Sequence, residues 1–306
     1  MSTAPAFAAA ASGRAVLATG VTMYWESHGD ARNPAVVLIM GLGMHIAAWP
    51  KDFVQTLVGR GLRVIMLDNR DAGWSSSLDT LGTPNVLQAA VRYWARLPID
   101  APYHLHDMAA DVVALLDTLG IDRAHWVGIS MGGMIAQLVA AQHAPRVSRL
   151  VLMMSTSGEL RYSRPTLRSL KALLRRPPRD ASVDALAKHL ADTIVIIGSR
   201  RLDRDYGELL AYCRAHVARA SNPRGFMRQL VAVAASGPRT ALLSNISAPT
   251  LVIHGDDDPL VPIAGGRHLA QLIPGARMEV IADMGHDLPP VLMPKLTQLI
   301  GDFLVQ

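Results

Sequence analysis

Short runs of consecutive hydrophobic residues alternate along this chain with longer stretches in which hydrophobic positions repeat at helical spacing. Hydrophobic runs at 35–40 and 62–68 predict two buried strands, and the amphipathic stretch at 47–58 between them predicts a helix. The helical spacing returns at 106–119, and Gly120 follows it as a stop signal. Strands and helices that take turns predict a mainly parallel sheet with helices on its faces.

Four further strands are predicted later in the chain, at 124–127, 149–154, 249–254 and 276–283. The first three are nearly continuous hydrophobic runs, as expected for strands that are buried on both faces of a parallel sheet. In the run 276–283, hydrophobic and polar residues alternate instead. This alternation predicts that the last strand lies near an edge of the sheet.

The alternation of strands and helices stops between 157 and 247, where the hydrophobic pattern is helical in four stretches. Asn222 and Pro223 begin one of these stretches as an N-cap and a first-turn residue. The run 194–197 fits either a short strand or part of a helix. We therefore predict a helical segment inserted into a sheet-forming core.

The length of 306 residues, half of them hydrophobic, suits one large α/β domain that carries such an insertion. The core is predicted to comprise residues 14–156 and 248–306, and the helical insertion residues 157–247. Residues 1–13, rich in alanine, are predicted to be a disordered N-terminal tail.

The cysteine content and the N-terminal composition predict a cytoplasmic location. Cys213 is the only cysteine, so an internal disulfide is excluded and a reducing compartment fits best. No basic residue precedes Arg14, which is unlike a secretory signal. The longest uncharged stretch, 33–50, is interrupted by glycines and a histidine, so no membrane span is expected.

The net charge of +5 comes from one part of the chain. Residues 157–240 hold 16 Lys and Arg against 7 Asp and Glu, whereas the remainder is net acidic. This basic segment lacks the aromatic pattern of an RNA-binding strand and the spacing of a zinc finger, so we expect a solvated surface and no nucleic-acid partner. His104 and His106 have no third ligand at a suitable spacing, and we predict no metal site.

Residues 128–132, Gly-Ile-Ser-Met-Gly, form the pattern G-x-S-x-G around Ser130. The pattern alone is a weak signal, since a glycine-rich turn without any chemistry also fits it. Its context is more specific, because it follows a predicted strand and begins a predicted helix that ends at Pro145. A nucleophilic serine at such a sharp turn needs small neighbours, which the glycines provide.

A serine nucleophile requires a histidine as general base and a carboxylate that orients the histidine. His286 follows the last predicted strand, and Asp258 follows the strand before it. In one class of enzymes with a mostly parallel sheet, the catalytic Ser, Asp and His follow one another in this order along the chain, and each lies just beyond the end of a strand. Glu159, beyond the strand at 149–154, is the alternative acid.

These motifs resemble the α/β-hydrolase family over about residues 14 to 305. The family pattern H-G-x-x-D-x-x-x-P corresponds to His254, Gly255, Asp258 and Pro262, which selects Asp258 as the acid. The resemblance implies the α/β-hydrolase fold, a mostly parallel sheet flanked by helices, and makes the insertion at 157–247 similar to the family's helical cap, or lid.

Two loops extend the resemblance and also depart from it. The stretch "DNRDAGWSS" at 68–76 resembles a family loop D-x-R-G-x-G-x-S, but Asp71 stands where glycine is commoner. Many members carry His-Gly in the loop after the third strand of the family fold, whereas this chain has Met40 and Gly41. The resemblance implies an oxyanion hole formed by the backbone N–H groups of Leu42 and Met131.

The motifs together resemble most a branch of bacterial esterases that includes the anthracycline methyl esterases. This resemblance implies a serine hydrolase that cleaves carboxylic esters of small molecules through an acyl-enzyme, with no cofactor. Gly41, Met44 and Met154 are predicted to contact the substrate, although methionines near strand ends fit core packing equally well. A cofactor-free perhydrolase or haloperoxidase with the same triad, and a catalytically silent ligand receptor, remain as alternatives.

Overall fold

The computed structural model describes residues 9–178 and 182–306, and within them the chain forms one sheet with helices on both faces. The strands are β1 (Ala11–Val16), β2 (Thr22–His28), β3 (Ala35–Ile39), β4 (Arg63–Leu67), β5 (Ala124–Ile129), β6 (Val147–Met153), β7 (Thr250–Gly255) and β8 (Arg277–Ile281). Their order in the sheet is β1-β2-β4-β3-β5-β6-β7-β8. β2 pairs antiparallel with β1 and β4, and all the other pairs are parallel.

The helices, in chain order, are α1 (Lys51–Gly59), α2 (Val86–Trp94), α3 (Leu105–Thr118), α4 (Met131–Gln142), α5 (Leu167–Leu173), α6 (Val183–Ile197), α7 (Tyr206–Arg219), α8 (Pro223–Ala235), α9 (Thr240–Leu243), α10 (Ile263–Leu272) and α11 (Met293–Leu304). Buried residues of α3, α4 and α10 pack on one face of the sheet, and those of α1 and α11 pack on the other. This arrangement confirms the predicted fold class.

Strand position in the sheet follows the hydrophobic pattern. Every residue of β3 and of β7 is buried, as expected for nearly continuous hydrophobic runs inside a parallel sheet. β8 lies at the edge of the sheet, and Ile281 is its only buried residue, which confirms the prediction that the last strand lies near an edge.

Helices α5 to α9 occupy the chain between β6 and β7, and no strand lies there among the residues that the structure describes. We call this part of the chain the insertion. Residues 194–197 belong to α6, so the helical alternative holds for that run. Asn222 caps α8 as predicted, since its side-chain oxygen accepts a hydrogen bond from the N–H of Gly225 at 2.8 Å.

The N-terminal prediction requires a correction. Residues 11–13, placed in the disordered tail, begin β1, because β2 supplies antiparallel backbone partners from Ala11↔Ser27 to Val16↔Thr22. Residues 1–8 of that predicted tail lie outside the described residues. β2 and α2 were not predicted either, because their hydrophobic positions are partly exposed and form no continuous run.

Candidate active site

Ser130 lies at the junction of β5 and α4, in a backbone conformation that side chains rarely adopt. Its φ is 53° and its ψ is −116°. Three hydrogen bonds hold it there: its N–H donates to Met153 O at 2.9 Å, and its carbonyl oxygen accepts from Ser155 Oγ at 2.8 Å and from Met134 N–H at 3.1 Å. Strained residues of this kind cost about 1–3 kcal/mol and concentrate at active sites.

The turn around Ser130 leaves no room for side chains at its glycines. A Cβ on Gly128 would overlap the carbonyl oxygen of Gly132, and a Cβ on Gly132 would overlap the carbonyl oxygen of Ile39. A Cβ on Gly133 would lie 2.7 Å from the side-chain oxygen of Ser155. The glycines therefore permit α4 to begin directly against the neighbouring strands, with Ser130 at the apex of the turn.

His286 lies in the loop after β8, and its ring connects Ser130 to Asp258. Nε2 is 2.9 Å from Ser130 Oγ, and Nδ1 is 2.7 Å from Asp258 Oδ2. A carboxylate only accepts hydrogen bonds, so Nδ1 carries the proton and Nε2 is free to accept from the serine hydroxyl. The structure thus brings together the three residues that the sequence selected, and the carboxylate that contacts His286 is that of Asp258 rather than that of Glu159.

Asp258 is held in place by two backbone donors and lies beside a buried histidine. Its Oδ1 accepts from Leu260 N–H at 2.9 Å and from Val261 N–H at 2.8 Å, which leaves Oδ2 for His286. His254 lies 3.6 Å from the same carboxylate, and its Nε2 pairs with Val261 O at 2.8 Å. Burial lowers the pKa of His254, so its ring is neutral and does not compete with His286 for the charge of Asp258.

The loop after β3 lies against Ser130 and carries the second predicted oxyanion donor, Leu42. A Cβ on Gly41 would lie 3.3 Å from Ser130 Cβ, so the backbone at 41 packs on the serine. Met131, the other predicted donor, is the first residue of α4, where a backbone N–H has no partner within its own helix. The positive end of the helix dipole favours negative charge at that position.

Gln229 of α8 braces this loop, and no sequence pattern indicates that role. Its Oε1 accepts from Gly43 N–H at 2.8 Å, and its Nε2 donates to Arg70 O at 2.7 Å. Its side chain is completely buried. The loop after β3 is thus braced by an amide that reaches in from the insertion.

A cavity of about 1280 Å³ lies between the insertion and the carboxyl ends of the strands, with Ser130 and His286 in its wall. The predicted substrate-contacting residues Gly41, Met44 and Met154 all line it. Further methionines in the wall are Met40, Met131, Met134, Met227 and Met293. Met153 and Met284 are not part of the wall and belong to the buried core of the sheet face that packs on α1 and α11, to which Met40 and Met154 also belong.

Buried ion pairs attach the insertion to the loop after β4. Arg228 of α8 donates to both carboxylate oxygens of Asp71, and Arg219 of α7 pairs with Asp68 at 2.9 Å. The hydrogen bonds that Arg228 donates to Asp71 raise the pKa of Arg228, so that guanidinium stays charged. Asp71 also accepts from the hydroxyl of Tyr103 at 2.8 Å, and burial raises the pKa of that phenol.

The part of the chain that the structure describes has neither a metal-binding cluster nor a helix that could span a membrane. Within it, no group of three or more His, Cys, Asp and Glu residues is arranged to hold a metal ion. His104 stands at the N-cap of α3, where its N–H donates to Asp107 Oδ2 at 2.7 Å. Over the same residues, every helix is too short or too polar to cross a bilayer.

Comparison with known proteins places this geometry beside several hydrolases. A family model described as alpha/beta hydrolase fold matches residues 34–290. The chain is 29% identical over 293 residues to the rhodomycin D methylesterase DnrP of Streptomyces peucetius, which covers 88% of this chain and 90% of that protein. It is 30% identical to a 2-hydroxy-6-oxononadienedioate/2-hydroxy-6-oxononatrienedioate hydrolase of Paraburkholderia phymatum, over 94% of this chain and 92% of that protein.

Solved structures give the same comparison in three dimensions. The enol-lactonase from Burkholderia xenovorans LB400 superposes with a TM-score of 0.72 at 26% identity, covering 96% of this chain and 100% of that one. The esterase RhEst1 from Rhodococcus sp. ECU1013 superposes with a TM-score of 0.73 at 20% identity, covering 96% and 98%. At that lower identity, the likeness concerns the fold alone.

Proposed function

The chain belongs to the alpha/beta hydrolase fold family, and on that premise we propose that it is a serine hydrolase that cleaves carboxylic esters of small molecules through an acyl-enzyme. The observation that carries the proposal is the line of contacts from Asp258 through His286 to Ser130, at 2.7 and 2.9 Å. Relatives named a methylesterase and an enol-lactonase support an ester as the bond that is cleaved.

In the first half of the reaction, Ser130 Oγ bonds to the carbonyl carbon of the ester while its proton passes to His286 Nε2. The electron pair of the carbonyl double bond moves to its oxygen and gives a tetrahedral oxyanion. When the bond to the alcohol oxygen breaks, His286 donates the proton to that oxygen. The alcohol leaves, and the acyl group remains on Ser130.

In the second half, a water molecule replaces the alcohol. His286 takes a proton from the water molecule while the water oxygen bonds to the acyl carbon. A second tetrahedral oxyanion forms. Collapse of that intermediate breaks the bond to Ser130, which regains its proton from His286. The product is a carboxylic acid, and the cycle needs only side chains of this protein and water.

We assign the stabilisation of the oxyanion in both steps to the backbone N–H groups of Leu42 and Met131. Each donor of this kind is worth about 3 kcal/mol when it is aimed in advance at the position where the charge develops. Gln229 supports the loop of Leu42 through Gly43, and α4 begins at Met131. These contacts support the assignment, because they hold both segments in place before a substrate binds.

We also assign the roles of the two parts of the chain on this basis. Residues 14–156 and 248–306 form the core that supplies the triad, and residues 157–247 form a cap that closes the cavity over it. Gly41, Met44 and Met154 are proposed to contact the substrate from the core side of the cavity. The large and mainly hydrophobic wall suits an ester with a bulky apolar part.

The proposal is tested with p-nitrophenyl esters of increasing acyl length and with an active-site-directed fluorophosphonate. Wild-type protein should hydrolyse at least one ester without added peroxide and should take up one equivalent of label. Ser130→Ala should lose both properties while keeping the thermal unfolding temperature of the wild type. Ser221→Ala, a change at an exposed serine that also lines the cavity, is the matched control and should keep both.

Two results would contradict the proposal. One is a wild-type protein that neither hydrolyses any ester nor takes up the label, which is the behaviour of a ligand receptor. The other is Ser130→Ala protein that retains turnover, which would assign the nucleophile elsewhere.

A further inference from the structure

The loop that carries His286 is held by the insertion as well as by the sheet. The backbone N–H of His286 donates to Ile197 O, the last residue of α6, at 2.9 Å. The N–H of Gly285, one residue earlier, donates to the side-chain oxygen of Ser199 at 2.8 Å. Two successive backbone donors next to the proposed general base are therefore satisfied by the end of α6.

Asp287, the residue after His286, accepts hydrogen bonds from the segment that follows α6. Its Oδ1 accepts from the N–H of Ser199 at 2.9 Å and from the hydroxyl of Ser199 at 2.6 Å. Its Oδ2 accepts from the guanidinium of Arg204. The hydroxyl of Ser199 thus donates to Asp287 and accepts from Gly285, so it ties together the residues on both sides of His286.

The segment after α6 and the loop of His286 contact each other at Gly198 and Gly285. Because these residues have no side chain, the two backbones approach closely. A Cβ on Gly198 would lie 2.6 Å from Asp287 Oδ2, and a Cβ on Gly285 would overlap the carbonyl carbon of Gly198. Ser199 is 4% exposed, and the Asp287 side chain is 9% exposed. Hydrogen bonds in so buried a contact fix geometry more firmly than exposed ones.

We propose that Ser199 and Asp287 are positioning residues for His286, and that the insertion holds the general base in line with Ser130. This inference rests on the proposed function. The imidazole itself is bound only through Asp258 and Ser130 among the described residues. Its backbone is bound through the end of α6, so a displacement of that segment moves the ring relative to the serine.

The inference predicts a chemical signature that a general loss of stability lacks. His286 has to donate a proton to the leaving alcohol of an alkyl ester, because an alkoxide is a poor leaving group. A p-nitrophenolate leaves without that proton. A displaced His286 therefore slows acylation by an alkyl ester more than acylation by a p-nitrophenyl ester of the same acid.

The test compares kcat/KM for the ethyl and the p-nitrophenyl ester of one acid, with active sites titrated by the fluorophosphonate. In Ser199→Ala, kcat/KM should fall about 10-fold for the p-nitrophenyl ester and about 100-fold for the ethyl ester, since general acid catalysis contributes about 100-fold or more. Asp287→Asn keeps an acceptor for Ser199 and should give a smaller change in the same direction. If the Ser199→Ala protein does not fold, the same comparison of the two esters is made with Asp287→Asn alone.

Arg201→Gln is the matched control. Arg201 lies in the same segment and pairs with Asp283 of the same loop, but that pair is exposed and does not touch residues 285–287. Its ratio of ethyl to p-nitrophenyl ester activity should equal that of the wild type.

Equal losses for the two esters in Ser199→Ala and Asp287→Asn, or no loss, would overturn the inference and leave the contact as a structural one. Failure of the proposed function is separately visible, because the wild type would then hydrolyse neither ester or Ser130→Ala would hydrolyse both.

Discussion

Asp71 and Arg228 form a completely buried ion pair between the loop after β4 and helix α8. The two hydrogen bonds, Nε to Oδ2 and NH2 to Oδ1, measure 2.8 and 2.7 Å, and neither side chain is exposed. Asp71 has a φ of 66°, a conformation that glycine adopts more easily. The departure from glycine at this position thus has a physical reason, since the carboxylate anchors the insertion to the core.

Removal of one partner from this pair should cost far more stability than a surface change. Arg228→Met leaves the Asp71 carboxylate buried without its cation, and we expect the free energy of unfolding to fall by about 3–5 kcal/mol. Chemical denaturation measures this loss. Arg224→Met, at an exposed position of the same helix, is the control and should change stability by less than about 0.5 kcal/mol. A loss equal to that of the control would show that the pair does not hold α8.

A methyl side chain at Gly132, in the turn at Ser130, should destabilise the protein. Gly132→Ala places a methyl group on the Ile39 carbonyl oxygen, and we expect a loss of about 1–3 kcal/mol together with loss of ester turnover. Gly59→Ala is the control, because a Cβ there has nothing within 4 Å and lies at the end of α1. It should be neutral or slightly stabilising. Thermal unfolding and turnover of the two variants check the contrast, and normal turnover by Gly132→Ala would refute it.

Gln229 should affect the chemical step more than substrate binding. Gln229→Met removes the acceptor of Gly43 N–H, which loosens the loop that carries Leu42. Because a whole oxyanion donor is worth about 100-fold or more in kcat, its partial misplacement should lower kcat about 10-fold with little change in KM. Gln142→Met, at an exposed residue of α4, should leave both constants unchanged. A raised KM at constant kcat would instead assign Gln229 to substrate binding.

A half-buried histidine outside the site should make stability fall in mild acid. Burial, with Arg149 and Arg123 nearby, lowers the pKa of His125 to about 4 from its ordinary value of 6.5. The folded ring stays neutral while the unfolded chain takes up a proton below pH 6.5, so the stability present above that pH is lost as the pH falls toward 4. For this partly exposed ring, we expect a loss of about 1 kcal/mol between pH 7 and pH 5.

His125→Gln removes this proton uptake and should lose less stability than the wild type over that range. Urea unfolding at the two pH values measures the difference. His106→Gln, an exposed histidine in α3, should follow the wild-type dependence. The same slope in His125→Gln and the wild type would show that another group causes the acid sensitivity.

The central sheet could be predicted because strands buried on both faces need continuous hydrophobic runs, such as residues 35–40 around β3. β1 and β2 escaped prediction because they lie at or next to the antiparallel edge, where partial exposure admits polar residues. Among the described strands, β1 pairs only with β2, and β2 is held in the sheet by β4, a strand that is distant in the sequence. No local pattern records that pairing.

Ser130, Asp258 and His286 could be predicted from the sequence because each follows a strand, and the fold brings the ends of the strands together. Gln229, Ser199 and Asp287 were not visible, since their roles depend on hydrogen bonds across more than 80 positions of the chain. Their residue types are also common on protein surfaces. Only the folded chain shows that they are buried and what they contact.

The methionines in the cavity wall have a consequence for the oxidants that the protein tolerates. Oxidation adds an oxygen atom to the sulfur of methionine and turns an apolar, adaptable side chain into a polar sulfoxide. Met40, Met44 and Met154 line the same cavity as Ser130, so a peroxide admitted to that cavity would meet their sulfurs beside the serine. A protein that worked on peroxide would progressively make its own cavity polar. Storage in a peroxide-free buffer should therefore preserve the apolar character of the wall and any ester turnover that depends on it.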